Sequence, residues 1–443
     1  MYKLTLVLRY LRKRKITVFP IAGVALGVMA LVVVLSVMEG FDTDLRNRIR
    51  GIVPDLSLEF RDVRGYEPTN KEEVDTIIRR LEAVPEVKAA SPYLSGLAMA
   101  RLDIPSRDDA PFRDALTLYV NYKGFDFERE NRVLELDKYL QFGGNPFAGN
   151  DLGQSGAKPV LIAGARIAGR QYEGVKTSAA DWGRVPPGTD IRLTTLTWDF
   201  QAKPMSGAVV DVVKSGIWDI DAHLVFMPLS YARAFAGGGR NTLSGVGMAL
   251  KDYTPENVRA AKQHIDEALA GVVPSALYDI TSWEESRKTF LTAVAMERRI
   301  MAFILFFFLV VAGFSISAIL IMIVLEKIRD IGILLAMGSS QRGIATIFLT
   351  YGVTIGLIGA LIGLALGVTF VHNLNGIESA VYRLTGWEPF PPDIYDLPEI
   401  PRILNWWTNL YIVITAVGVS FVASLMPAVR AAWLNPVEAI RYE

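Results

Sequence analysis

Four uncharged apolar runs constrain this chain more than any other feature. Ile16–Met38, Ile300–Leu325, Ile344–Val371 and Leu410–Val429 contain no Asp, Glu, Lys or Arg. At about 1.5 Å of rise per helical residue, each can cross a hydrocarbon core of about 30 Å. A backbone in lipid must satisfy its own hydrogen bonds, so each run is predicted to be a membrane-spanning helix. A basic stretch precedes the first run, as in a signal peptide. That run is too long for a signal-peptide core and no small-x-small cleavage pattern follows it, so the helix is expected to be retained. Gly23 and Gly27, and the four-residue series Gly359, Gly363 and Gly367, give small faces that suit close helix packing rather than a permeation path. Ion-coupled carriers and pumps usually place a charged side chain inside a span. None lies in these four, which argues against a secondary transporter.

Basic residues orient the spans. Lys3, Arg9, Arg12, Lys13, Arg14 and Lys15 precede the first, and Lys327, Arg329 and Arg342 lie between the second and third. The loop after the third has Arg383 and Arg402 against Glu378, Glu388, Asp393, Asp396 and Glu399. An excess of Lys and Arg marks the cytoplasmic side, so both chain ends and 326–343 are expected inside. Residues 40–299 and 372–409 are then outside. Arg298 and Arg299 run against this trend, but they adjoin a large translocated domain, where local charge counts less. The expected layout is an amphipathic N-terminus (1–15), a first span (16–39), a soluble domain (40–299), a second span (300–325), a cytoplasmic segment (326–343), a third span (344–371), an outer loop (372–409), a fourth span (410–429) and a tail (430–443). The fold class is therefore a membrane protein of four transmembrane helices with a large α+β periplasmic domain inserted between helices 1 and 2.

Within the soluble domain, Asp55–Phe60 alternates like a strand. Lys71–Ala83 is amphipathic, with Val74, Ile77, Ile78 and Leu81 inward, and Val87–Ala100 reads as extended. The same order recurs at the far end: strand Gly245–Leu250, helix Pro255–Leu269, strand Val272–Ile280. Two β-α-β units at either end of one segment predict a single α+β layer. A Gly- and Pro-rich, mostly stranded insertion occupies about 125–240. Residues 199–206 lie between strand-like 190–197 and 207–217. They read as a hairpin tip with apolar Phe200, Pro204 and Met205, either a packed corner or a docking site. Glu39–Arg50 is expected to continue the first helix, with Phe41, Leu45 and Ile49 on one face. Trp283–Arg299 is expected to lead without a breaker into the second span.

Several function classes are excluded. With no cysteine there is no disulfide, iron–sulfur cluster or thiolate metal site. The three histidines, His223, His264 and His372, are too scattered for a His-based metal centre, so no metal is expected. Lys+Arg and Asp+Glu are both 46, which gives no sign of a nucleic-acid partner. No G-x-x-x-x-G-K-[ST], G-x-S-x-G, H-E-x-x-H or G-x-G-x-x-G occurs. The chain is not expected to be an enzyme or to bind a cofactor itself.

Two stretches flanking the last three spans carry a family likeness. Glu326-Lys-x-Arg-x-Ile-Gly-Ile-Leu-x-Ala-x-Gly338 resembles the cytoplasmic coupling segment of MacB/FtsX-type ABC permeases. Pro427-Ala-x-Arg-Ala-Ala-x-x-Asn-Pro-Val-Glu-Ala-Ile-Arg441 is similar to their closing motif. Met38-Glu-Gly-Phe-Asp-x-x-Leu-Arg-x-Arg-Ile-x-Gly-Ile-Val-Pro54 and Phe390-Pro-Pro-Asp-Ile-Tyr-Asp-Leu-x-Glu-Ile-Pro401 point to the lipoprotein-releasing (Lol-type) branch. The likeness is good at both ends and thins between about 100 and 240.

The resemblance implies two permease chains, identical or different, with two copies of a separate cytoplasmic ABC ATPase that holds ATP and Mg. It also implies a lipoprotein substrate drawn from the inner membrane and a periplasmic chaperone that receives it. Glu326, Lys327, Arg329, Ile331, Gly332, Leu335, Ala336 and Gly338 would form the ATPase contact. An apolar side of Ile328, Ile331, Leu334 and Leu335 would be buried there, while Glu326, Lys327, Arg329 and Asp330 hold register. Replacing Ile331 and Leu335 with Asp is expected to uncouple hydrolysis without abolishing folding. A push on this segment would travel outward along one nearly unbroken helix. Val34, Met38 and Phe41 with Met301, Phe303, Phe306 and Phe307 are candidates for an acyl-chain cavity, Met and Phe giving an adaptable surface. They also read as ordinary contacts with membrane lipids. Phe200, Lys203, Pro204 and Met205 stand where the family's chaperone-grasping hairpin belongs. A MacB-like efflux permease, an FtsX-like transmitter acting on a periplasmic partner, or a receptor without an ATPase are the alternatives; the 390–401 stretch favours lipoprotein release.

Overall fold

A computed structural model describes residues 17–62, 64–102, 116–141, 146–147, 160–164, 188, 190–197, 199–387, 399–435 and 439. They fall into two units, Met1–Thr43 with Phe290–Pro389 and Glu399–Glu443, and Asp44–Thr289 with Phe390–Pro398. The N-terminal segment 1–15 and most of the 390–401 motif lie outside the described residues.

The first unit is built on four helices long and apolar enough to cross a membrane: α1 (Val18–Ile52, which runs on past Thr43), α8 (Lys288–Glu326), α10 (Gln341–His372) and α12 (Trp406–Ala432). Helices α2–α7 belong to the second unit. Val24, Val28 and Val32 of α1, Leu309 and Ile316 of α8, Ile355 of α10 and Ala416 of α12 share one buried cluster. Small residues allow the close approach. A Cβ on Gly363 would lie 2.4 Å from the Ala25 carbonyl oxygen and 2.8 Å from Val28 Cβ. Gly359 and Gly367 face Val24 and Val32 in the same way, so the glycine stripe is a packing face of α10 against α1. Another glycine of α10, Gly356, meets Ser420 of α12. Between the spans sit two further helices, α9 (Ile328–Ala336) and α11 (Leu374–Thr385).

The second unit has one continuous sheet with two behaviours. Its strands are β1 (Leu56–Phe60), β2 (Val87–Leu102), β3 (Leu116–Phe125), β4 (Val160–Gly164), β5 (Asp190–Leu196), β6 (Ala202–Val213), β7 (Leu224–Pro228), β8 (Gly245–Leu250) and β9 (Tyr278–Ser282). The N-terminal part of β2 pairs with β8, which pairs with β1, which pairs with β9, all antiparallel. With α2 (Lys71–Glu82) and α6 (Pro255–Leu269) this makes two interleaved β-α-β units, the split βαβ arrangement of ferredoxin-like folds. Val74, Ile77, Ile78 and Leu81 of α2 and Ala261, Ile265 and Leu269 of α6 fill the core with Leu56, Leu58, Val246 and Met248. Asn70 and Thr254 cap the two helices through the N–H groups of Glu73 and Asn257.

The C-terminal part of β2 turns to different partners. It pairs with β3 from Tyr93 to Leu102 and with β5 from Met99 to Leu102. The order then runs β3–β7–β4–β6–β5 and returns to β2. This is a closed six-stranded barrel, which removes free edges. The insertion expected at about 125–240 is thus a barrel that borrows half of β2 and all of β3. Leu94, Ala98, Val120, Leu161, Ile191, Leu193, Val209 and Val225 are buried together, joined by Phe235 from α5 (Leu229–Ala236). The Tyr122 and Phe235 ring centroids stand 5.1 Å apart. Two short helices complete this part, α3 (Phe127–Leu134) and α4 (Trp218–His223).

Two expected elements differ. The far-end strand begins at Tyr278 rather than Val272, because Gly271 takes a left-handed turn and Pro274 leads into a 3₁₀ turn, Ser275–Leu277. The helix entering the second span is also interrupted. A capped turn α7 (Trp283–Ser286) ends at Arg287, whose ψ of 15° leaves the helical range before α8 begins.

Candidate functional site

The connection between α8 and α10 is a compact turn–helix–turn. Lys327, at φ −107° and ψ 13°, separates α8 from α9, and its Nζ donates to Asp330 Oδ2 at 2.5 Å. The path from Ile331 outward therefore has breaks at Lys327 and Arg287, not the nearly unbroken helix expected. At the other end Gly338 adopts φ +92°, a conformation natural to glycine. There the N–H of Gly338 donates to the Leu335 carbonyl and that of Ser339 to the Leu334 carbonyl, both at 3.0 Å. Ser340 Oγ then accepts from Gly343 N–H and starts α10.

The two faces of α9 are occupied differently. Ile328, Ile331 and Gly332 are buried, Ile331 to 4% exposure. Ile331 clusters with Val324 of α8, Ile344 of α10 and Ala431 of α12, and Leu335 packs against the same group. The apolar side expected to meet a partner is therefore mostly inside this chain. Of its four residues only Leu334 faces outward, 45% exposed, together with Ile333 and with Met337 at 80%. Glu326, Arg329, Asp330, Ala336 and Gly338 are exposed as well, and Lys327 is half-buried. Aspartate at Ile331 would bury a charge among apolar side chains, so the expectation that Ile331→Asp with Leu335→Asp preserves folding is corrected.

At the opposite end of the spans, Glu39 of α1 accepts from Arg298 Nη2 of α8 at 3.4 Å and from Asn405 Nδ2 at 2.8 Å. The Ile403 N–H donates to the Ser36 carbonyl. These bonds tie α1 to α8 and to the segment entering α12. Of the acyl-chain candidates, Val34, Met38 and Phe41 are half-buried, while Met301, Phe303, Phe306 and Phe307 are exposed. Phe303 and Phe307 make an edge-to-face pair at 5.0 Å. At 100° per residue these two point away from the Leu309, Ala312 and Ile316 stripe that packs inward.

The hairpin candidate is β5–β6, whose register runs from Asp190↔Ala208 to Leu196↔Ala202. The tip is shorter than expected. Thr197 N–H donates to the Gln201 carbonyl and Phe200 N–H to the Thr197 carbonyl, so the turn is 197–201. Phe200 sits at its apex, φ 57° and 87% exposed. Lys203, Pro204 and Met205 belong to strand β6, opposite Thr195, Thr194 and Leu193. Met205 packs on the barrel core, and Lys203 Nζ donates to the Ala234 carbonyl. Sequence reasoning missed four apolar side chains on the barrel wall that carries this hairpin. Leu97, Met99, Tyr119 and Leu196 are exposed on the outer barrel face. Met99 stands opposite Tyr119 and Thr194, and Thr195 Oγ1 donates to the Leu97 carbonyl. The β2 run Gly96–Ala100 is apolar on both faces, which reads as a buried strand; only the barrel pairing shows which face is open.

Comparison with known proteins agrees with this architecture. A model for the MacB-like periplasmic core domain matches residues 17–268, and one for the FtsX-like permease C-terminal region matches 302–436. The LolC lipoprotein-releasing system transmembrane protein of Neisseria meningitidis is 30% identical over 98% of both chains. This chain belongs to the lipoprotein-releasing family of ABC-transporter permeases. LolE of Haemophilus influenzae is 27% identical over 95% of this Lol-type permease and 93% of its own length. The periplasmic region of MacB from Actinobacillus actinomycetemcomitans, a solved structure, covers 55% of this chain and 95% of its own at 14% identity and a TM-score of 0.32. The layout read from the sequence, a MacB-like domain between the first and second of four spans, holds for this Lol-type permease.

Proposed function

We propose that this chain is the membrane subunit through which a separate ABC ATPase drives release of lipoproteins from the inner membrane. Two ATPase copies carry ATP and Mg in the cytoplasm, and a second permease chain, identical or homologous, completes the membrane part. The reading rests on one observation above all: a Lol-type chain without a P-loop presents an ordered cytoplasmic helix whose outward face is part apolar and part charged. Ile333, Leu334 and Met337 would bury apolar surface on the ATPase, and Glu326, Arg329 and Asp330 would set register around them. The buried side of α9 sits on α8, α10 and α12 at once, so a displacement of α9 is felt by three spans.

On the opposite side, the exposed Phe303–Phe307 face offers a surface for acyl chains where a second permease chain approaches. The Phe200 apex, with exposed Leu97, Met99, Tyr119 and Leu196 on the barrel wall below, receives the periplasmic chaperone. An apolar cluster of this kind on a soluble barrel is an interaction surface in most proteins. Purification of the tagged chain from its native membrane tests the reading. An ABC ATPase and acylated protein are expected to accompany it. Recovery of the chain without an ATPase under mild detergent would overturn it.

A further inference from the structure

We propose that α11 is an interfacial helix whose apolar face lies in the outer leaflet of the bilayer. The helix starts as soon as the third span ends: Asn373 closes α10 and opens α11. Its first turn is also tied to the entry of the fourth span. Asn375 Nδ2 donates to Glu399 Oε2 at 3.0 Å, and Asn375 Oδ1 accepts from the Ile400 N–H at 3.2 Å. Only Pro401–Asn405 separates that anchor from Trp406. Trp406, Trp407 and Tyr411 at the start of α12 are all exposed, Trp407 to 78%. Trp and Tyr at the end of a span mark the headgroup level, because one part of the ring is apolar and another donates a hydrogen bond. Two hydrogen bonds therefore hold the beginning of α11 near that level.

The helix itself has the pattern of one lying in the plane of the membrane. Leu374, Ile377, Val381 and Leu384 follow an i, i+3, i+7, i+10 series along one side. Asn375, Ser379 and Arg383 occupy the other. Among the described residues α11 buries no side chain, and Leu384 is 86% exposed. Gly386 ends it in a left-handed turn, after which Trp387 is again exposed. Leu374, Ile377 and Val381 are half-buried and Leu384 is open, so the stripe keeps apolar surface to bury, and an amphipathic helix of this kind is stabilised when that surface enters the headgroup–acyl boundary. The occupant is lipid because the stripe is continuous with the span that feeds it and is flanked by Trp387 and by the Trp406–Tyr411 belt. The helix would fix the depth and tilt of the α10–α12 pair.

The absence of cysteine from the natural chain makes a direct test simple. Single variants Ile377→Cys, Leu384→Cys, Ser379→Cys and Arg383→Cys of the full chain, with its co-purifying subunits, carry a nitroxide in nanodiscs of phosphatidylethanolamine and phosphatidylglycerol. Leu384, Ser379 and Arg383 are exposed and Ile377 is half-buried, and an unchanged thermal midpoint of each labelled variant checks that the fold is kept. Collision with oxygen, which partitions into lipid, is compared with collision with a water-soluble nickel chelate. The expected ratio is several-fold higher at 377 and 384 than at 379 and 383. Equal exposure of all four sites to the chelate would overturn the proposal in favour of a solvated helix. Shielding of 377 and 384 from both reagents would overturn it in favour of a covering protein.

Discussion

The division of α9 into a packed face and a free face makes a contrast that a single pair of variants can read. Ile331→Ala removes most of a side chain that is 4% exposed and touches elements from three other helices. A void lined by Val324, Ile344 and Ala431 cannot be closed by moving one helix, so a loss of about 2–5 kcal/mol in stability is expected, toward the upper end. Leu334→Asp with Met337→Asp alters side chains already 45% and 80% exposed, so stability should stay within about 0.5 kcal/mol of the parent. Binding should respond in the opposite sense. Fully burying a large apolar side chain contributes about 1.5–3 kcal/mol. Because Leu334 is already half covered, the pair should account for about 3 kcal/mol, or roughly a hundredfold in ATPase affinity. Denaturant unfolding of the purified chain and titration with the ATPase subunit give the two numbers. An Ile331→Ala chain of parental stability, or an aspartate pair that binds the ATPase at parental strength, would refute the assignment of faces.

Three further outcomes follow from the same geometry. Gly363→Ala should lower the thermal midpoint of the membrane unit, since the new methyl meets Ala25 and Val28 and overpacking costs about 1–3 kcal/mol; Gly418→Ala, with nothing within 4 Å, should leave it unchanged or raise it. Phe200→Ser with Tyr119→Ser should weaken capture of the periplasmic chaperone in a pull-down and leave basal ATP hydrolysis unchanged. His264 lies 3.1 Å from Glu86, which raises the imidazole pKa above its usual 6.5 while the carboxylate is held low by the same contact. The histidine part of this half-buried pair stabilises the fold fully below about pH 6.5 and is lost as pH rises through the raised value. The carboxylate part is present above about pH 4.5 and is lost as pH falls through the lowered value. Glu86→Gln should therefore shift the denaturation midpoint more at pH 5.5 than at pH 8, and an equal shift at both would contradict the pairing.

Where local chemistry dictates structure, the sequence was a good guide. The Val74, Ile77, Ile78 and Leu81 stripe appears on the expected face, and the strand Gly245–Leu250 and the helix Pro255–Leu269 appear within the expected bounds, because periodicity and caps at Asn70 and Thr254 act over a few residues. The barrel was not legible. It depends on parallel pairings of β3 with β7 and β4 with β6 across long stretches of chain, and on β2 changing partners midway. Strand β6 begins at Ala202 despite Pro204, which stands opposite Thr194 in the pairing with β5. Helix α9 shows the same limit at the candidate site. An amphipathic pattern says that Ile328, Ile331 and Leu335 share a face, but not whether that face meets a partner or the molecule's own spans.

The central claim is that ATP hydrolysis on another chain does work on a lipoprotein through this one. Its most direct test is release of a fluorescent acylated protein from proteoliposomes holding this chain, its partner permease and the ATPase, with a chaperone in the outer solution. The account predicts ATP-dependent transfer that Leu334→Asp with Met337→Asp abolishes while vesicle integrity is kept. Transfer that proceeds equally without ATP, or that survives loss of this chain, would contradict it.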